Sequence, residues 1–197
     1  MIPFPDKKYQ IIYADPPWNF NQVVGIYQDG GRPDRFTKDH YSCMSLAEIK
    51  ALPVSSIADK DCALFLWTTD AHLPEALQVI NSWGFRYKTV AFIWEKLTIK
   101  GNLCANIGAW TMKNAELCLI GTKGNMVKYK KQRNIFQLVR AVRTVHSAKP
   151  EEVRRNIEAL FGDLSRIELF ARQKTEGWDA IGFDIDGKDI TESIKSL

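Results

Sequence analysis

No run of apolar residues in this 197-residue chain approaches the roughly 18 needed to cross a bilayer as a helix, so no membrane span is expected. The opening Met1-Ile2-Pro3-Phe4-Pro5-Asp6 has no basic region leading into an apolar one, which excludes a secretory signal and fits a cytoplasmic location. Cysteine is sparse. Cys43, Cys62, Cys104 and Cys118 form no Cys-x-x-Cys pair and have no histidine at zinc spacing. His40 and His72 have no acid or cysteine placed to complete a metal site, so no metal is expected. The glycine fingerprint GxGxxG of a dinucleotide-binding turn is also missing. The remainder is ordinary for a soluble globular protein: 45% apolar and 25% charged residues, enough for one domain over 1–197 with a full core. A net charge of +4 is too mild to argue for nucleic acid by itself.

The stretch with the most specific chemistry is Asp15-Pro16-Pro17-Trp18. It follows Tyr9-Gln10-Ile11-Ile12-Tyr13-Ala14, which reads as a buried strand. Two prolines offer no N–H to a ladder, so the strand stops at Pro16 and Asp15 sits at its carboxyl end. Ligands of open α/β sheets bind at that end. A carboxylate accepts one hydrogen bond from an exocyclic amino group, and the Pro16 carbonyl, held by a fixed φ, accepts the second. Two acceptors on one NH2 draw its lone pair out of conjugation and expose a nucleophile. Trp18 offers a flat face for a purine. Asp-Pro-Pro also makes ordinary turns, which is the competing reading.

Residues 19–39 form a long glycine-rich loop whose place beside Trp18 suggests an active-site lid. Tyr41 follows, either packing or facing substrate. Ser45 as N-cap with Glu48 as capping-box partner predicts a helix to Leu52, ended by Pro53. Strands are predicted over 62–67, 87–94, 116–121, 166–170 and 177–184. Helices are predicted over 70–83, capped by Gly84, and 150–160, begun by Pro150 with Glu151 and Glu152 in the first turn. Alternation of strands and helices points to a doubly wound, mostly parallel sheet. Residues 123–143 carry Lys123, Lys128, Lys130, Lys131, Arg133, Arg140 and Arg143 with no acid and with Tyr129 and Phe136 between them. That is a phosphate-contact pattern, or a solvated basic loop.

Taken together, these segments resemble a known family. Asp15-Pro16-Pro17-Trp18 is its signature, and further matches run in one order: His40-Tyr41-x-x-Met44-Ser45, Leu64-Phe65-Leu66-Trp67-Thr68-Thr69, Trp83-Gly84-Phe85, Phe92-Ile93-Trp94-Glu95-Lys96, Glu116-x-Cys118-Leu119-Ile120-Gly121-Thr122-Lys123-Gly124, His146-Ser147-x-Lys149-Pro150 and Ile167-Glu168-Leu169-Phe170-Ala171-Arg172. The chain resembles the MT-A70-like (DPPW-type) N6-adenine methyltransferases, the family of the catalytic subunit of the mRNA N6-adenosine methyltransferase. The resemblance implies an α/β, Rossmann-like S-adenosylmethionine-dependent methyltransferase fold with helices on both faces of the sheet. It also implies a permuted order, the catalytic strand N-terminal and the cofactor strand C-terminal.

By the same resemblance, Asp15, Pro16, Pro17 and Trp18 are the catalytic set. Asp15, Pro16, His146, Lys149, Glu168, Phe170, Arg172, Lys174, Phe183 and Asp184 surround S-adenosylmethionine. Lys149 matches a lysine at the methionine end; Glu168, Arg172 and Lys174 match positions around the ribose. Phe183 and Asp184 depart from the amides of the eukaryotic relatives. An Asp-Ile pair that relatives carry upstream of the signature has no counterpart here. Substrate contacts are expected from Trp18, Tyr41, Lys96, Lys128, Lys130 and Lys131. His146 reads as a cofactor contact rather than a base. The expected activity is methylation of the 6-amino group of adenine in a polynucleotide, DNA favoured over RNA because no zinc fingers or partner-binding extensions are present. RNA methylation and a non-catalytic nucleic-acid-binding role are the alternatives, and a homodimer or a related partner subunit stays open.

Overall fold

β1, Tyr9–Ala14, is buried along almost its whole length, as a continuous apolar run in the middle of a sheet must be. The computed structural model describes residues 7–19, 43–108, 110–144, 148–182 and 185. Around β1 it builds β2 (Ala58–Thr68), β3 (Arg86–Leu97), β4 (Ala115–Lys123), β5 (Leu138–Val142), β6 (Arg166–Leu169) and β7 (Asp179–Ile181). The seven strands form one sheet in the order β5-β3-β4-β2-β1-β6-β7. β1 pairs in parallel with β2 and β6, as β3 does with β5 and β6 with β7. β4 alone is antiparallel, to both its neighbours. The reason is local: the described residues between β3 and β4 hold no helix, so a crossover is impossible and the chain returns as a hairpin.

Among the described residues three α-helices clad the sheet. α1 (Leu46–Ala51) opens on the capping box read from the sequence: the Ser45 amide donates to Glu48 at 2.7 Å, and the Glu48 amide donates to the Ser45 hydroxyl. α2 (Leu73–Ser82) starts from a 3-10 turn at Asp70–His72, and Gly84 at φ +83° follows its end, a conformation glycine adopts without strain. The Trp83 indole donates to the Ile49 carbonyl at 2.9 Å and ties α2 to α1. α1 and α2 cover the face that presents Ile12, Ala14, Leu64, Leu66 and Leu119; α3 (Glu151–Phe161) covers the other, with Ile11, Tyr13, Phe65, Trp67 and Trp94. Alternate residues of β1 and β2 therefore feed two separate cores, each fully buried aliphatic side chain contributing about 1.5–3 kcal/mol.

Most predicted elements appear with shifted ends. β2 and β3 are longer than expected, and β7 shrinks to three residues. β5 departs from the sequence reading: its Leu-Val-Arg-Ala-Val lies inside the stretch that reads as a basic segment, and of its residues only Val139 is fully buried. An edge strand tolerates that polarity.

α2 rides directly over Gly121 of β4. A Cβ there would lie 2.9 Å from Ile80 Cγ2 and 3.2 Å from Phe85 Cβ, so glycine is needed for close approach. Gly121→Ala is expected to destabilise the fold by about 1–3 kcal/mol through overpacking, measured as a lowered urea midpoint; an unchanged midpoint would show that α2 has room to move.

Candidate active site

Ala14 lies level with Leu66 of β2 and Leu169 of β6, so the next residues, Asp15, Trp67 and Phe170, share one rim at the carboxyl edge of the sheet. The chain passes from β1 to β2 through α1 on one face and reaches β6 through α3 on the other. That divergence makes the β1–β6 rim a topological switch point, where open α/β sheets bind ligands. Lys149 arrives at this rim immediately before Pro150, the N-cap of α3.

The Lys149 ammonium is 2.9 Å from Asp15 Oδ2 and 2.9 Å from Glu116 Oε2, with its side chain only 9% exposed. It also stands over the Trp67 ring, 5.4 Å from the centroid. Lys96 holds the other oxygen of Glu116. The result is a line of alternating charge, Asp15–Lys149–Glu116–Lys96, drawn from β1, the α3 entrance, β4 and β3. Burial raises the Asp15 pKa, Lys149 pulls it down, and the Glu116 charge pushes it up again; the net direction is up. Burial also raises Glu116, but Lys149 and Lys96 outweigh it and the net direction is down. Lys149 is penalised by burial and more than compensated by the two carboxylates, so it stays charged. Two carboxylates on one cation are thus driven apart, Asp15 upward from the usual carboxylate range and Glu116 downward.

Pro16 is buried, and its carbonyl accepts the Trp18 amide at 2.9 Å, which pins the turn. A carbonyl has a second lone pair for an incoming donor. Pro17 is half-buried, and its carbonyl takes the Met44 amide at 3.0 Å. Trp18 differs from the expected stacking platform. It is 6% exposed, its indole N–H donates to the Trp67 carbonyl at 3.0 Å, and one face stacks on His72 with centroids 5.8 Å apart. This geometry makes it the buttress that locks the signature against β2.

Of the expected cofactor set, Asp15, Pro16, Lys149, Phe170 and Arg172 come together. The positive charge of Arg172 is felt at Asp15. Phe170 has φ +62°, a conformation that costs a bulky residue energy and clusters at functional rims. Behind it the Ala171 amide donates to the Ile181 carbonyl at 3.0 Å, and a Cβ on Gly182 would fall 2.1 Å from the Ala171 carbonyl oxygen, so the two backbones touch. Glu168 departs from expectation: both its oxygens receive the Arg154 guanidinium, at 2.7 and 2.8 Å, in a buried pair stacked over Tyr13. It fastens β6 to α3. Lys174 is exposed in the turn after β6. Tyr41, His146, Phe183 and Asp184 lie outside the described residues.

Lys128, Lys130 and Lys131 are not brought to the site. Lys128 pairs with Asp61 near the start of β2, and the Lys131 amide bonds the Leu160 carbonyl at the end of α3. Both anchors mark the amino edge, roughly 20 Å of strand away from Asp15 at about 3.3 Å per residue. A basic run in sequence did not become one surface, because the chain crosses the sheet between Lys131 and Arg143. Glu116 is the residue to which the sequence patterns assigned no role. Its signal was an acid opening an otherwise apolar strand, Glu116-Leu117-Cys118-Leu119, since a buried charge demands a partner. Among the described residues no cluster of His, Cys, Asp and Glu could hold a metal.

The charge line makes a pH prediction. Glu116→Gln removes the anion that raises Asp15 and leaves Lys149 wholly to it, so the Asp15 pKa falls. The acid limb of the kcat/KM–pH profile is expected to move to lower pH; a limb that stays put would remove Glu116 from control of Asp15.

The family profile of MT-A70 matches residues 9–184. The chain is 37% identical over 196 residues to the Type II methyltransferase M.MunI of Mycoplasma sp, covering 94% of this chain and 82% of that protein. It is 27% identical over 184 residues to the N(6)-adenosine-methyltransferase catalytic subunit METTL3 of Homo sapiens, and 28% identical over 184 residues to the N(6)-adenosine-methyltransferase MT-A70-like protein of Drosophila melanogaster. Those two matches cover 91% of this chain but only 29% and 27% of the human and fly proteins. With the profile matched over nearly the whole chain and a relative 37% identical along most of both lengths, the chain belongs to the MT-A70 family.

Proposed function

We propose that this protein transfers the methyl group of S-adenosylmethionine to the 6-amino nitrogen of adenine in a polynucleotide, DNA in preference to RNA. The observation that carries the reading is Asp15 beside the fixed Pro16 carbonyl at the switch point, its carboxylate held by the buried Lys149. The donor set suits the methionine end of the cofactor: an ammonium for a carboxylate in Lys149, and an anion for an ammonium in Asp15. When bound, S-adenosylmethionine supplies an electrophilic methyl group on a positively charged sulfur. The chain's order, with β1 first and β6 late, is read as a permuted methyltransferase sheet.

The protein's own contribution is positioning and charge. Lys149 holds Asp15 by its Oδ2, and Oδ1 is the oxygen that would accept from the incoming amine. The second lone pair of the Pro16 carbonyl accepts the other amino hydrogen. Together they turn the nitrogen lone pair out of the ring plane, along one line of approach. Asp15, with its raised pKa, takes the proton that the methylated nitrogen sheds, while Glu116 stays ionised and keeps Lys149 in place. Phe170 and the Ala171–Gly182 contact shape the neighbouring rim. In a duplex the adenine must leave the stack to reach this edge. DNA is favoured because the match to the protein named a type II methyltransferase is fuller, on both chains, than the matches to the eukaryotic adenosine methyltransferases.

Methyl transfer from labelled donor to duplex DNA, RNA and free adenosine tests the reading; labelling of none of them would end it. Asp15→Ala is expected to abolish transfer with the fold intact, and retention of even a tenth of wild-type kcat would contradict the role given to Asp15. Lys149→Ala is expected to weaken S-adenosylmethionine binding by about 1.5–3 kcal/mol in calorimetry, the worth of a charge-assisted contact.

A further inference from the structure

β3 leaves the sheet at Leu97 and β4 enters at Ala115, both at the carboxyl edge that carries Asp15. The described residues between them form a projection. The Leu97–Leu103 bridge closes its base, and Asn106 and Lys113 exchange two backbone hydrogen bonds of 2.8 Å to close a hairpin. Gly108 is required in it, since a Cβ would lie 2.4 Å from the Thr111 carbonyl oxygen. The stem is pinned on both sides of the site. Lys113 binds both oxygens of Asp70, at 2.8 and 3.0 Å, two residues before the His72 that stacks on Trp18. Three residues beyond Lys113 comes Glu116, in the charge line.

The tip presents Trp110, 92% exposed, with Ile107 at 90% and Met112 at 60%. Scattered exposed apolar residues are ordinary; a hairpin that lifts a tryptophan into water beside a site is not. Ile99 and Leu103 add exposed apolar surface to the same segment, and the charge beside it is positive: residues 97–114 contain no acid, Lys100 is exposed, Lys113 is neutralised by Asp70, and Arg143, exposed, hangs its amide on the Leu97 carbonyl at the base. Flat aromatic faces stack on bases, and apolar side chains wedge between base steps. Trp18, buried against His72, is not placed to do either.

We propose that Trp110 is the wedge of this enzyme: the hairpin enters duplex DNA and the indole takes the place in the stack that the target adenine vacates. This rests on the function proposed above. Lys100 and Arg143 meet the flanking phosphates, and the Lys113–Asp70 pair sets the hairpin's angle to the site.

The full-length chain with Trp110→Ala and with Trp110→Phe would be compared with wild type on two substrates. One is a duplex oligonucleotide that the wild type methylates. The other is the same duplex with an abasic site opposite the target adenine, which is then already unpaired. For Trp110→Ala, kcat/KM on the intact duplex is expected to fall roughly tenfold or more, the size of a lost base–aromatic stack. Trp110→Phe should retain most activity, the abasic-opposed duplex should recover most of the loss, and S-adenosylmethionine affinity should not change. Wild-type rates for Trp110→Ala on the intact duplex would overturn the proposal. So would an equal loss on both substrates, and so would sedimentation showing that the substitution splits a dimer, because the tip would then belong to a second copy. If the wild type methylates no polynucleotide at all, the proposed function itself fails, an outcome separate from any difference between variants.

Discussion

One buried ammonium organises this site. Lys149 reaches the carboxyl edge from the entrance of α3 and holds Asp15, just past β1, and Glu116 of β4 at the same distance. A lysine so enclosed stays charged only if its partners repay the lost hydration, and two carboxylates do so here. In return it ties the ends of three elements together at the carboxyl edge of the sheet. The sharing is unequal, because Lys96 supports Glu116 while burial works against Asp15. The two carboxylates are therefore pushed in opposite directions, Asp15 up and Glu116 down.

The reversed strand makes this arrangement possible. In a parallel strand, the residue at the carboxyl edge is the last one. β4 runs the other way and brings its first residues there, so Glu116 stands opposite Trp94 near the end of β3. The same reversal replaces a crossover helix with the projecting segment between Leu97 and Ala115. A single topological choice thus places an acid in the site and a hairpin over it.

Much of the fold was legible because it rests on short-range rules. The apolar run of β1, the Ser45–Glu48 box, Gly84 and the proline before α3 each announced an element by local chemistry, and each is found. The signature likewise announced where Asp15 would stand, at the carboxyl end of β1, and there it meets Lys149. What the sequence hid depends on pairing across the sheet. β5 could not be read, since edge strands need little apolar surface. The seven basic residues of 123–143 looked like one surface, yet Lys128 bonds Asp61 at one edge while Arg140 bonds Glu95 near the other. Glu168 looked like a cofactor residue and is enclosed by Arg154, which no periodicity could show.

The two tryptophans carry this argument furthest. A sequence motif gives a residue's neighbours along the chain, not the side of it that faces water. Trp18 belongs to the signature, yet its indole N–H and one ring face are taken up by Trp67 and His72, so its large apolar area is spent on holding the turn rigid. A rigid turn is what the proposed chemistry asks for, because Asp15 and the Pro16 carbonyl must keep their aim while the amine approaches. Trp110 belongs to no motif, and its area is unspent. An active site that raises a carboxylate pKa by desolvation benefits from excluding water during the reaction. Rigidity at the signature and availability at the hairpin are then complementary uses of the same side chain, assigned by topology rather than by sequence.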